Sequence, residues 1–480
     1  MTARTLFDKI WDAHVVRDLG EGWALLHIDR HLVHDLNGGP SLIELDQRNL
    51  RVARPELTFA TPDHAISSQP GRTGETCTQG AKLYEGLHKL VAQHSIRLFD
   101  IGQIGQGIVH VMAPEMGIVL PGLIVACGDS HTCTNGGLGA LPLGIGSSEV
   151  VHVLATQTLR QQKPKRMRIR CDGVLNPWVT AKDLALYILQ KLTATGAVGH
   201  VIEYAGSAVE ALDIEARLTL CNLSVELGAR YGMVAPDEKT IAWLKDRPFA
   251  PEGEAFAVAA SYWRSLPTDQ GAQFDREWVI DASDVSPTIT WGVSPDQSVA
   301  VDGLVPSPLE VRAEHRDSTE AALQYMGLQA HKPIAGTPVD WVFIGSCANS
   351  RLSDLRAAAD VVRGRKVAAH VVAWVVPGSE LTRRQAEEEG LRDIFERAGF
   401  QWRAPGCSMC VAANGETVPP GRRSVSTSNR NFIGRQGPNA RTHLASPPMA
   451  AAAAIAGCIV DVRTLILGPS APSAAFGDDR

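Results

Sequence analysis

Short β-branched runs that end in Gly, Ser, Asp or Cys alternate with helical patterns along this chain. The runs include "GIVLPGLIVACGDS", "VDWVFIGSC" and "VAAHVVAWVVPGS"; the helical stretches include "SSEVVHVLATQTLRQ" and "ELTRRQAEEEGLRDIFERAG". This alternation predicts an α/β fold of parallel sheets flanked by helices, with functional groups collected at the carboxyl ends of the strands. At 480 residues the chain exceeds what one hydrophobic core serves. A basic run, "KPKRMRIR", introduces a new strand near 165–170, and Pro, Ser and Asp concentrate around 285–307. Units spanning 1–166, 167–293 and 294–465 are expected, followed by a tail at 466–480 whose composition is that of a disordered segment.

Lys+Arg 46 against Asp+Glu 52 leaves a net charge of -6, too mild for a protein that binds a polyanion or lies on a membrane surface. Neither nucleic acid nor membrane is an expected partner. The N-terminus carries Asp8 and Asp12 where a secretory signal needs an unbroken apolar core. The Ala-rich "MAAAAAIAGCIV" is shorter than the roughly 18 apolar residues of a membrane span. Nine cysteines, an odd number spread thinly, argue for reduced thiols and a cytoplasmic setting.

Three of those cysteines stand apart. Cys347 follows an apolar run in "FIGSCANSR", and Cys407 and Cys410 lie beside a Pro-Gly turn in "APGCSMCVAANGE". A Cys-x-x-Cys pair alone suits a zinc site, a thioredoxin-type redox centre or a purely structural role. A zinc ribbon wants a fourth ligand at comparable spacing, and the next cysteine, Cys458, falls in the Ala-rich stretch and is expected to be buried. Three thiolates suit three irons of a 4Fe-4S cluster, whose fourth iron is then open to hydroxide or substrate as a Lewis acid. Cys77, Cys127, Cys133, Cys171, Cys221 and Cys458 read as small buried hydrophobes.

A second group pairs acids with histidines. Asp63 and His64 in "TPDHAIS", His110 in "GQGIVHVM", Asp129 and His131 in "CGDSHTCTNGG" and Glu203 in "GHVIEYAG" fall at Gly-rich strand ends. An Asp beside a His, or two before it, orients the imidazole and raises its pKa, which makes a proton donor near neutral pH. Singly, each also reads as a satisfied core histidine; together they form a candidate acid–base centre. His34 in "IDRHLVHDLNGG" is nearly as well explained as a helical surface histidine. Arg430 and Arg435 in "VSTSNRNFIGRQGPNARTH" fit no single helix face, so a loop is expected to present their guanidinium forks to carboxylates. Phosphate is disfavoured, because neither Walker A nor a well-placed GxGxxG is present. Arg422 and Arg423 fit a solvated basic loop.

An open-iron cluster, acid–histidine pairs and carboxylate clamps describe a hydro-lyase acting on a small hydroxy di- or tricarboxylate. The sequence resembles the aconitase superfamily, and in particular its isopropylmalate isomerase branch, over residues 1 to about 465. The likeness is carried in order by "LFDKIWDAHVV", "IDRHLVHDL", "GDSHT", "GIGSSEVVHVLATQTL", "FIGSCANSRLSDLR", "PGCSMC" and "STSNRNFIGRQG". It implies three α/β/α domains around a cluster held by Cys347, Cys407 and Cys410. It further implies that Asp63 and His64 help remove the substrate hydroxyl, with His64 as proton donor. His110, Asp129, His131 and Glu203 are then expected around the open iron and its bound water, and Asn429, Arg430 and Arg435 on a substrate carboxylate. The implied reaction interconverts 2-isopropylmalate and 3-isopropylmalate through 2-isopropylmaleate, a step of leucine biosynthesis.

In single-chain members of this superfamily a fourth, C-terminal domain supplies the serine that takes the carbon-bound proton. A separate small subunit is expected to bring that domain here. The chain departs from the branch's usual pattern at Ala348, Cys133 and Asn135, where Thr, Ser or Ala, and His are common. Related hydratases of citraconate, dimethylmaleate or homoaconitate are therefore the alternative. A cluster-free RNA-binding relative would need a basic cleft, which the net charge does not support, and a structural zinc protein would hold zinc without iron or sulfide.

Overall fold

The computed structural model describes residues 2–468. Three wholly parallel sheets with flanking helices form its frame. The first orders Arg97–Leu98, Thr58–Thr61, Arg30–His34, Ile124–Cys127 and Leu141–Gly144. The second orders Tyr231–Val234, His200–Ala205, Lys165–Asp172 and Arg276–Asp281. The third orders Gln401–Trp402, Val372–Val375, Trp341–Ile344, Arg423–Ser426 and Arg441–Leu444. Central strands such as Ile124–Cys127 are apolar and buried at every position, as a sheet covered on both faces requires. A division at 166/167 would cut the strand Lys165–Asp172, so we propose domain boundaries in the link just before it, at 163–164, and at 293/294.

In the first and third sheets the chain starts at the central strand, builds outward to one edge, and then crosses to the other side. Such an order opens a crevice at the carboxyl ends of the strands where the direction reverses. One reversal lies between Arg30–His34 and Ile124–Cys127, the other between Trp341–Ile344 and Arg423–Ser426. Asp35, Asp63, His64 and Asp129 follow strands of the first sheet, while Cys347 and Asn429 follow the two central strands of the third.

Local chemistry explains the helices that matter here. Ala181–Leu192 begins with a capping box: Thr180 Oγ1 accepts from Lys182 N at 3.2 Å, and Asp183 accepts from Thr180 N at 2.8 Å. Its Leu184, Ile188, Leu189 and Leu192, at helical spacing, enter the core of the second sheet. Pro447–Ala456 opens on two prolines, which forfeit no intrahelical bond in the first turn, and its buried alanines share a core with Leu355, Ala358 and Ala359 of Leu352–Val362. That helix stops at Gly457 (φ +71°), so Cys458 lies beyond it and is only partly buried, not the enclosed thiol expected.

Other expectations are corrected by the same physics. "ELTRRQAEEEGLRDIFERAG" is two helices, Glu380–Glu388 and Leu391–Ala398, because Gly390 takes a left-handed conformation (φ +73°). His34 ends the strand Arg30–His34 and is 2% exposed, so it is no helical surface residue. Arg423 is buried in its strand, donating to Met326 O at 2.6 Å, instead of lying in a solvated loop. The expected disordered tail at 466–480 falls mostly outside the described residues, and within them the helix Val462–Leu467 covers its start. Among the described residues no helix is long and apolar enough to cross a membrane.

The 3₁₀ turn Ser130–Leu138, which follows Asp129, packs against the helix Ile214–Asn222. Gly137 permits the contact, since a Cβ there would lie 2.7 Å from Leu218 N and 2.8 Å from Leu218 Cα, both main-chain atoms. Gly137→Ala is expected to push the two elements apart at a cost of about 1–3 kcal/mol, seen as a lowered midpoint in urea unfolding.

Candidate active site

Asp35 supports the Asp63–His64 loop by accepting from the main-chain N–H of His64 at 3.1 Å and of Ala65 at 2.8 Å. Asp63 Oδ1 lies 2.5 Å from His64 Nδ1, and its Oδ2 accepts from Val109 N at 2.9 Å. With Nδ1 engaged by Asp63, His64 Nε2 faces Asp129 Oδ2 at 3.3 Å. Asp129 stands among three imidazoles, with His110 Nε2 at 3.4 Å and His131 Nδ1 at 3.6 Å, and it accepts from His131 N at 2.6 Å. His131 Nε2 then lies 3.1 Å from Glu226 Oε1, which accepts from Arg430 Nε at 2.7 Å. A largely buried chain of ionisable groups thus runs Asp63, His64, Asp129, His131, Glu226, Arg430.

Burial disfavours a charged His64, but the charge of Asp63 and the hydrogen bonds to Asp129 and Asp63 outweigh it and hold its pKa well above the ordinary imidazole range. Burial also opposes the charge on Asp129; the three imidazoles around it, His110, His131 and His64, win and hold it well below the usual carboxylate range. His34 stacks on His64 with ring centroids 4.4 Å apart, and burial, reinforced by the His64 charge, pushes it down to about 4. His34 therefore stays neutral beside a charged neighbour. Asn135 Nδ2 can only donate, and it lies 3.4 Å from His110 Nδ1, so the His110 proton resides on Nε2. That buried Nε2 has no hydrogen-bond partner, since Asp129 at 3.4 Å is out of line with it.

The cysteines enter from the third sheet. Ser346 (φ +112°) before Cys347 and Ser408 (φ +48°) between Cys407 and Cys410 hold left-handed backbone, which costs a serine ~1–3 kcal/mol each. Hydrogen bonds keep them there: Ser346 Oγ donates to Thr427 O at 3.0 Å, and Ser408 Oγ to Glu416 Oε2 at 2.6 Å. Glu416 also accepts from Ser67, Ser68 and Arg403, and Cys407 N donates to Asp63 O at 2.8 Å. The cysteine turn and the acid–base loop are in this way one joined unit. Asn222 Nδ2 and Asn429 Nδ2 both face Cys347 Sγ at 3.2 Å, and Asn429 Oδ1 lies 3.8 Å from Cys410 Sγ.

Cys347, Cys407 and Cys410 are free and buried. Burial, with the charges of Cys410 and Asp129, pushes the Cys347 thiol up to about 12, and burial drives Cys407 well above the normal range. Thiolates this deep need the positive charge of a metal, and amide donors to sulfur are the hydrogen bonds a cluster ligand accepts. The donor set fits a cluster held by three cysteines.

Glu203 does not join this group. It is the fourth residue of the strand His200–Ala205, not its carboxyl end, and its carboxylate accepts from Thr268 Oγ1 at 2.7 Å. Glu226 occupies the place expected of it, in a 3₁₀ turn directly after the helix that ends at Asn222. Asn222 and Glu226 were both missed; an Asn and a Glu four apart in the apolar "LTLCNLSVELG" were the available signal. Arg435 makes no hydrogen bond or ion pair with these groups; its buried Nε has no partner, and its guanidinium lies 5.6 Å over Phe432. Glu226→Gln is expected to loosen Arg430 and His131 and lower kcat/KM about 10- to 100-fold. Glu203→Gln is expected to leave steady-state kinetics close to those of the unaltered protein.

A family model described as Aconitase family (aconitate hydratase) matches residues 8–457. The chain belongs to the aconitase family. It is also 61% identical over 463 residues to a protein named 3-isopropylmalate dehydratase large subunit 1 from Bradyrhizobium diazoefficiens, covering 96% of this chain and 97% of that one.

The aconitase-family match encloses every group described above, from Asp63 to Arg435. The residues that depart from the usual pattern sit one step behind them: Cys133 Sγ donates to Asn222 O at 3.2 Å, and Asn135 contacts His110. One compact set of ligating atoms exists among the described residues, formed by His34, Asp35, Asp63 and His64 within 4.8 Å. Its groups are already committed: Asn37 Nδ2 lies 2.9 Å from His34 Nε2, Asp35 caps two N–H groups, and Asp63 grips His64. We read it as the support of the acid–base pair. A 220 Å³ cleft lined by Arg72, Glu380, Arg383, Arg392, Trp402 and Arg403, among others, contains none of the site's acids, histidines or cysteines.

Proposed function

We propose that this chain is the large subunit of a 3-isopropylmalate dehydratase, a hydro-lyase that interconverts 2-isopropylmalate and 3-isopropylmalate through 2-isopropylmaleate in the leucine pathway. The observation that carries this reading is the 61% identity over 96% of the chain to a protein of that name. Members of the aconitase family typically carry a 4Fe-4S cluster, and we assign it to Cys347, Cys407 and Cys410. When bound, such a cluster supplies an iron that polarises the substrate hydroxyl as a Lewis acid.

The chain's own residues supply the rest of the chemistry. Asp63 holds His64 by Nδ1, so the mobile proton sits on Nε2, where it passes to the departing hydroxyl. Asp129 keeps His64 charged until that transfer, and the His110 Nε2–H donates to oxygen at the centre. Arg430, steadied by Glu226, and Arg435, with its free Nε, hold a substrate carboxylate.

The term "large subunit" in the relative's name implies a small-subunit partner. In our reading that partner brings the serine that takes the carbon-bound proton, and water then returns to the other carbon of the alkene. We place the reaction in the cytoplasm. Anaerobic turnover by this chain co-expressed with its small subunit, followed by alkene absorbance with 2-isopropylmalate, 3-isopropylmalate and citramalate, tests the reading. Preference for the isopropylmalates is expected. Preference for citramalate would replace the substrate and make Cys133 and Asn135 the residues that set it, and full turnover by this chain alone would remove the partner.

A further inference from the structure

Lys182 is fully buried, 0% exposed, and it lies in the first turn of Ala181–Leu192, where the positive end of the helix disfavours a cation. An ammonium removed from water in such a place calls for a counter-charge. Its hydrogen bonds go instead to main-chain carbonyls, Thr427 O at 3.2 Å and Ser428 O at 2.5 Å. Among the described residues no carboxylate pairs with it. The nearby acids are engaged elsewhere: Asp183 by Thr180 and Thr288 N, Asp354 by Asn349 and Arg351 N.

The two carbonyls that Lys182 binds belong to the segment leading straight into Asn429, whose amide reaches from Cys347 Sγ to Cys410 Sγ. Once ionised, Cys410 and Cys347 would support the charge of Lys182 most, ahead of Asp354 and Asp183. With neutral thiols this lysine would be an unpaired buried charge, and burial pushes it down to about 8. A 4Fe-4S core at its 2+ level bound by three thiolates, by contrast, carries one net negative charge.

We infer that Lys182 is the internal counter-ion of the bound cluster as well as the strut that holds Asn429 between Cys347 and Cys410. The inference rests on the cluster assignment made under Proposed function. Lys182 touches neither substrate nor iron; it is a positioning residue that acts through charge and through the 427–429 main chain. Net charge and hydrogen bonds to sulfur set the potential of an iron–sulfur cluster, so the ammonium favours the reduced, more negative form and retains the metal.

Lys182→Met, Lys182→Gln and Lys182→Arg separate the two roles. Methionine removes charge and donors, glutamine keeps an N–H₂ for the carbonyls without the charge, and arginine keeps both. Each protein is reconstituted anaerobically, the reduction potential is read from the EPR signal of the reduced cluster, and iron loss to a ferrous chelator is timed. In the methionine and glutamine variants a lower potential and about tenfold faster iron loss are expected, with arginine close to the unaltered protein. Should the methionine variant not fold, the glutamine variant decides. An unchanged potential and an unchanged rate of iron loss with glutamine would overturn the counter-ion assignment. If the unaltered protein binds no iron and sulfide, the cluster assignment itself falls; if it loads normally and the variants match it, only the Lys182 inference falls.

Discussion

Cys407→Ser is expected to yield a folded protein that binds neither iron nor inorganic sulfide at the level of the unaltered chain and shows no measurable turnover. The main-chain bonds of position 407, from its N–H to Asp63 O and from Cys410 N–H to its O, survive a serine, as does most of its contact with Ile108 and Val111. What is lost is the sulfur. A buried hydroxyl ionises far less readily than a thiol and is a poor ligand for iron, so three anchors become two. Iron and sulfide analysis, the visible absorption of the cluster and a melting curve of the metal-free protein check this together. A full cluster in the variant would remove Cys407 from the ligand set, and a metal-free form melting far below the metal-free parent would mean that the fold, not ligation, had failed.

His64→Ala separates chemistry from assembly. It leaves all three cysteines in place, so iron and sulfide content are expected to match the unaltered protein, while kcat falls by about 10²- to 10⁴-fold, the usual worth of a positioned general acid. The imidazole sits between Asp63 and Asp129, and its removal leaves two carboxylates facing a void without their shared cation. Substrate binding through Arg430 and Arg435 is expected to persist, so the loss should appear in kcat more than in KM. A variant with normal kcat would assign the proton to another donor, with His110 the next candidate because its Nε2 has no partner.

Much of this site was legible in the sequence alone, because its residues follow strands whose apolar runs announce their own ends. Asp63, His64, Asp129 and Cys347 each come within three residues of the last strand position, so reading the strand was nearly the same as finding the group. Glu203 shows the limit of that logic. "GHVIEYAG" looks like a strand closing near its glutamate, yet the strand continues to Ala205 and turns the carboxylate toward Thr268. Glu226 and Asn222 lie at a helix end and in the 3₁₀ turn beyond it, where position depends on packing against Ser130–Leu138, a contact that Gly137 allows and no local pattern reveals. The role of Lys182 was hidden for the same reason: a lysine in the first turn of a helix reads as solvent-facing until the 427–429 segment is laid over it.

The two halves of the site also come from opposite ends of the chain, and that has a consequence for how the protein is made. A ribosome releases Asp63, His64, His110, Asp129 and His131 together with every strand of their sheet well before Cys347 emerges, and Cys407 and Cys410 come later still. Early-emerging units tend to fold first during synthesis. The nascent chain therefore presents the proton-handling half before any of Cys347, Cys407 and Cys410, and the turn that carries the last two docks onto the Asp63 loop only after the first two sheets have emerged. On the cluster assignment proposed above, the order of the gene thereby times cofactor insertion: the ligand set is complete only once Cys410 has emerged, long after the acids and histidines it faces.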